Sequence, residues 1–486
     1  MDESKVTKRN LWCFPAGTIG RDMVYVLVAN FLLTYIMFTR ELTAAQLGAI
    51  TVIMVAARIF DALNDPIMGN IIERTRTKYG KFKPWLVAGA VSTTAVIIFL
   101  FNTNLKGWSF IVAFGISYFA FSITYTMNDI SYWGMIPALS RDGGARDTFT
   151  SRATLFAGIG NALASIAIPI FTTGAMALGG TTKSGYGWMA IIIGILAPAF
   201  LLFTVFGVRE NRDDMNTPPT PLSFKKIVKT ITGNDQLMWI SVCFLILETG
   251  STIIGGGIGA TYIYFLYGYN GGLYSTFTLV GLSATALLMM FYPSIAKHFG
   301  RERLMTILLV LSLAGYTMML GSRFLGSSMT GFWMLTIGYM FGSLGAFGYY
   351  LIMMISILNT VEYNQYKFGT RDEAIIASLR PFLTKMASAL VVVITSVTYI
   401  VFGVTDYTNQ ISSYENMAAA GTISDTQKLE AIDALLSKVS VNQTNGLLFV
   451  MVLMSAVMLF VSYVIYRRKY TLNEAEYDRI CKELNQ

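Results

Sequence analysis

The chain is punctuated by apolar stretches long enough to cross a bilayer, which takes about 20 helical residues. Short polar loops separate them. Of its 486 residues 54% are hydrophobic and 13% are charged, with a mean hydropathy of +0.55. A soluble protein carries roughly 25% charged residues. In hydrocarbon every backbone N–H and C=O must be satisfied within the segment, so such stretches become helices or closed barrels, and their length selects helices. The sequence therefore predicts an all-α membrane protein of twelve transmembrane helices. The spans fall at 15–38, 46–72, 84–102, 108–136, 149–178 and 186–207, then at 237–267, 273–296, 304–322, 330–358, 373–403 and 445–466.

Charge orients these spans. The net charge of +8 would point to nucleic acid in a soluble protein. Here the cations sit in alternate loops. Of the 36 lysines and arginines, 25 fall on one side of the spans, 6 on the other and 5 inside. The positive-inside rule makes the rich side cytoplasmic, and that side holds both termini. The expectation is a multi-pass protein of the cell membrane, acting as a monomer, with no nucleic-acid partner.

Six spans lie on each side of a polar loop containing Thr217-Pro218-Pro219-Thr220-Pro221 and Lys225, Lys226 and Lys229. This gives an N-terminal bundle at 1–207, a linker at 208–236, a C-terminal bundle at 237–467 and a tail at 468–486. Asp65-Pro66 to Phe82 after the second span is weakly echoed by Pro293 to Arg301 after the eighth. Transporters built from two related halves bind substrate near the midplane between them. The outside loop 404–444 contains a short capped helix at 424–431, and the tail from Tyr470 reads as a surface helix. No cleavable signal peptide is expected. Cys13, Cys243 and Cys481 are too scattered for a disulfide framework. His298 reads as interfacial, and the sequon at Asn442 carries little weight.

Apart from Glu373 at the first position of span 373–403, ten charged residues lie within the spans. The acids are Asp22, Asp61, Asp65, Asp129 and Glu248, and the bases are Arg21, Arg58, Arg152, Arg380 and Lys385. Each acid in hydrocarbon costs about 2.5–3.5 kcal/mol on insertion scales, so mutual pairing around an interior cavity is the expected arrangement. Asp61 and Asp65 are i, i+4 neighbours, with Asn64 beside them. With a hydroxyl such as Thr126 they form an oxygen-rich site for Na⁺, Li⁺ or H⁺. Arg58 and Glu248 read instead as charges that lock helices together. In the fourth span Asp129 and Trp133 share a face, with Tyr125 one turn earlier. A carboxylate accepting hydroxyl hydrogen bonds beside an aromatic plane suits a sugar. Asp22 and Arg152 are placed to reach the same cavity. Gly255-Gly256-Gly257 reads as a helix distortion. With one histidine, no HExxH and no GxSxG, the sequence does not predict an enzyme, and no cofactor is expected beyond a coupling ion.

The segments Asp61–Trp85, Thr124–Trp133 and Asn359–Lys385 occur in the order found in the glycoside–pentoside–hexuronide:cation symporters of the major facilitator superfamily. The chain resembles that family, typified by the melibiose carrier, over nearly all of residues 10–470. The resemblance implies two six-helix bundles and sugar:cation symport by alternating access. It implies a cation site at Asp61, Asn64, Asp65 and Thr126. It implies a sugar site at Arg21, Asp22, Tyr125, Asp129, Trp133, Arg152, Tyr350, Arg380 and Lys385. Arg21 stands where the melibiose-type pattern has lysine. Arg380 and Pro381 replace a polar pair, which argues against melibiose itself and opens the site to an anionic sugar. Basic loop 74–83 and segment 366–372 are expected to form a cytoplasmic gate. A facilitator or lysolipid carrier on the same fold, and a membrane sugar sensor, are the alternatives.

Overall fold

A computed structural model describes residues 3–139, 143–209, 224–370 and 372–484. Residues 210–223 of the linker, including Thr217 to Pro221, lie outside the described residues, as does residue 371 of the expected gate.

The chain starts with α1 (Glu3–Ala16), α2 (Thr18–Ala29), α3 (Leu32–Thr39) and α4 (Ala44–Arg74). Then come α5 (Lys83–Asn102), α6 (Gly107–Gly134), the single turn α7 (Ile136–Leu139), α8 (Gly143–Thr172) and α9 (Thr182–Gly207). After the linker follow α10 (Phe224–Gly233), α11 (Asp235–Ile254), α12 (Gly257–Tyr267), α13 (Gly271–Phe299), α14 (Arg301–Gly321), α15 (Met329–Phe368) and α16 (Glu373–Val401). The chain ends with α17 (Val404–Ala419), α18 (Asp425–Leu436), α19 (Val441–Phe449), α20 (Ser455–Lys469) and α21 (Glu474–Leu484). Among the described residues there is no strand. Among the described residues eleven helices are long and apolar enough to cross a membrane, or twelve when Lys8–Ala29 and Leu32–Thr39, bent by 46°, count as one span. The expected twelve-span architecture holds with its first span bent. Large apolar side chains such as Ile116 and Phe206 face outward, as a surface solvated by lipid requires.

Contacts divide the chain into two compact units. The first comprises Met1–Pro221, Tyr269–Ser275 and Gly403–Ser437. The second comprises Leu222–Gly268, Thr276–Phe402 and Lys438–Gln486. In the first, Phe14, Phe82, Leu86, Tyr132 and Phe149 form part of one buried cluster that knits α1, α5, α6 and α8 together. In the second, the triple glycine breaks a long span. Gly256 takes an extended conformation at φ −97° and ψ −160°, and α12 restarts at Gly257.

The capped helix expected near 424–431 is α18, whose Ser424 and Gln427 form a reciprocal capping box. Its partner α17 was not foreseen. Val404, Thr408, Ile411, Ser412 and Glu415 recur at helical spacing and are buried, although the stripe is half polar.

Candidate functional site

Helix α6 is the spine of the first unit's polar interior. It is held to α5 at Gly89, where an added Cβ would stand 2.7 Å from the backbone nitrogen of Asn128. The Asn128 amide donates to Leu86 O at 2.9 Å across the same contact. On its other side the Tyr132 hydroxyl donates to Phe14 O at 2.7 Å, and the two rings stack with centroids 4.4 Å apart. These contacts fix the rotation of α6 and thus which residues it presents to α4 and α2.

Toward α4 it presents Ser122 and Thr126. The Ser122 hydroxyl donates to buried Asp61. Thr126 Oγ1 donates to Asp65 Oδ1 at 3.3 Å. Asn64 is buried between the two acids in sequence, and its amide nitrogen has no hydrogen-bond partner. The structure thus brings Asp61, Asp65 and Thr126 to one helix pair, and Asn64 lies on the same turn of α4. Among the described residues no group of three or more His, Cys, Asp or Glu side chains is placed to hold a metal. Two carboxylates, hydroxyls and an amide form a donor set of hard oxygens, suited to a small monovalent cation or to a proton. Ser122 escaped the sequence reading, though it lies one turn before Thr126. The Arg58 guanidinium lies 3.9 Å from Asp61 on the same helix and in the fields of Tyr118 on α6 and Tyr25 on α2.

Toward α2 the helix presents Tyr125, Asp129 and Trp133. Buried Arg21 is shared by two acids. Its Nη2 lies 2.8 Å from Asp22, and its Nη1 lies 3.0 Å from Asp129. Thr18 donates a further hydrogen bond to Asp22 at 2.5 Å. The guanidinium sits 4.7 Å from the Tyr132 ring centre and 5.1 Å from that of Trp133, within range of a cation–π attraction. Asp129 remains 39% exposed, so its carboxylate can accept hydrogen bonds from a solute. Tyr125 lies in the fields of both Arg21 and Arg58, and its ring packs on Tyr25 at 5.8 Å. Arg152 is not brought to Arg21. It donates to Leu11 O at 3.3 Å and lies over the Trp12 ring at 5.0 Å.

In the second unit Tyr350 packs against Phe244 and Phe347, with ring centres 5.5 and 5.7 Å away. Glu248, one turn beyond Phe244 on α11, shares the field of Arg380 with Tyr350. Lys385 is half-buried on α16 beyond Arg380. Of the expected gate residues, Lys81 pairs with Glu73 at 2.8 Å within the first unit. Lys367 pairs with Asp235 at 2.6 Å within the second.

A family model described as "MFS/sugar transport protein" matches residues 13–474. The lactose permease of Lactobacillus helveticus is 27% identical over 492 residues, which cover 97% of this chain and 71% of that protein. The raffinose carrier protein of Pediococcus pentosaceus is 27% identical over 390 residues, 77% of this chain and 59% of the carrier. The backbone is similar to that of a bacterial homologue of the human lysosomal transporter Spinster, with a TM-score of 0.61 at 14% identity. That alignment covers 96% of this chain and 98% of the other.

Proposed function

This chain belongs to the MFS/sugar transport protein family, and we propose that it carries a glycoside or oligosaccharide across the cell membrane together with Na⁺, Li⁺ or H⁺. The observation that carries this reading is the sharing of α6 by two acidic clusters. One, with Asp61 and Asp65, is a hard-oxygen site. The other, with Arg21, Asp22 and Asp129, offers an exposed carboxylate beside Trp133. A cation that neutralises Asp61 and Asp65 draws α4 toward Ser122 and Thr126. The rotation of α6 then sets Asp129 and Trp133 for the sugar. Such coupling is reciprocal, so sugar raises cation affinity by the same factor that cation raises sugar affinity. Lactose and raffinose, named for the relatives, are the first substrates to try. The cation-rich loops support cytoplasmic termini.

The test is uptake into proteoliposomes with and without a Na⁺, Li⁺ or pH gradient, using labelled lactose, raffinose, β-xylosides and glucuronides. Uphill accumulation of one of these that ends in Asp61→Asn, while counterflow survives, is the expected result. One observation favours a facilitator: Arg58 already supplies Asp61 with a positive charge. Uptake indifferent to all three ions would establish that second reading.

A further inference from the structure

The segment between α16 and α19 is far longer than a connection there needs. Gln443, on the first turns of α19, donates to the carbonyl of Phe402 at the end of α16, 3.1 Å away. The two roots of the segment are thus tied together inside the second unit. A turn of a few residues would join them. The chain instead inserts α17 and α18, which belong to the first unit.

Three pins hold this hairpin there, and two of them, Glu415 and Lys428, are buried. The Asn409 amide brackets the backbone of Leu42, accepting from its nitrogen at 2.8 Å and donating to its carbonyl at 2.9 Å. Glu415 reaches the start of α9, where it accepts from the backbone nitrogen and the hydroxyl of Thr182, both at 2.9 Å. It takes the first free N–H of α9, beside the Thr181 cap, at a helix start where negative charge is favoured. Buried Lys428 donates to Gly180 O and lies 3.6 Å from Glu415. Leu42, Gly180 and Thr182 all lie in or beside loops that the cation distribution puts on the outside.

We propose that the α17–α18 hairpin is an outside strap, and that release of its pins from the first unit is the step that lets the outside face open. Chain length supplies the reason. Two residues, Phe402 and Gly403, link α16 to α17, and four, Ser437 to Ser440, link α18 to α19. Fully extended they reach at most about 7 Å and about 14 Å. While the pins hold, the start of α17 stays within that reach of the end of α16, and the start of α19 within that reach of the end of α18. The pins are suited to breaking. They sit at a loop and a helix end, where water can replace each lost partner once the hairpin lifts.

The inference rests on the carrier reading, and one experiment separates the two. In a parent with Cys13, Cys243 and Cys481 replaced by serine, T182C and E415C are introduced together. The thiols are bridged with a short bifunctional thiosulfonate, and counterflow of the sugar found in the uptake panel is measured before bridging, after it and after reduction. Bridging is expected to slow counterflow at least tenfold, and reductant to restore it. Equal rates in bridged and reduced protein overturn the strap. A parent that exchanges no sugar overturns the carrier reading, and the strap with it. The bridged and reduced states are the same folded sample, so misfolding cannot imitate the expected result.

Discussion

At the residue scale the chain works by sharing charges. Arg21 is held between Asp22 and Asp129, so neutralising either acid leaves a buried guanidinium partly unpaired. Asp129→Asn keeps the shape and removes the charge. Sugar affinity is expected to fall at least tenfold, about 1.4 kcal/mol, read by calorimetric titration, while Na⁺ or proton binding at Asp61 survives. Tyr132→Phe tests the anchoring of α6. It deletes the bond to Phe14 O, worth about 1 kcal/mol, and should lower the unfolding midpoint by about 1 °C for a chain of this length. An unchanged midpoint would show that ring stacking alone holds the helix. Charged residues in apolar spans were legible in the sequence because each one violates composition. Ser122, Thr18, Asn128 and Tyr132 were not. A hydroxyl or amide is unremarkable in a membrane helix until its facing partner is known, and the partner depends on rotation of about 100° per residue.

At the scale of elements, the spans and the cap at Ser424 were legible because apolar runs and capping boxes are local signals. The α17 stripe was not, since half of it is polar and its partners lie several hundred residues earlier. Ser424→Ala removes the side-chain acceptor of the cap, costing α18 about 1 kcal/mol. Hydrogen exchange should speed up in α18 and stay unchanged in α5. The hairpin also carries a pH dependence. Burial pushes the Glu415 carboxyl above its ordinary 4.5, although Lys428, Thr182 and Tyr269 oppose the shift. Lys428 faces it directly, and Asp425 faces Lys428 at 3.5 Å. The docked hairpin therefore holds this proton more tightly than the undocked one. Docking is strongest below pH 4.5 and weakens as pH rises through the raised value. Protection of α18, corrected for intrinsic exchange, should fall over that window, and Glu415→Gln should flatten the profile.

For the whole molecule, the family and the twelve spans could be read in advance, because bilayer thickness and loop charge constrain them directly. The assignment of residues 403–437 to the first unit could not, because it depends on contacts rather than on chain order. Helix α15 runs for 40 residues, a length of about 60 Å set against a hydrocarbon core of about 30 Å. Roughly half of it must therefore lie beyond the hydrocarbon core. Such a rod is a pointer: a tilt of about 10° deep in the bilayer becomes a swing of about 5 Å at a tip some 30 Å away. Nitroxides at exposed Tyr366 and exposed Tyr79 should record the swing as a change in distance, with no probe near the solute.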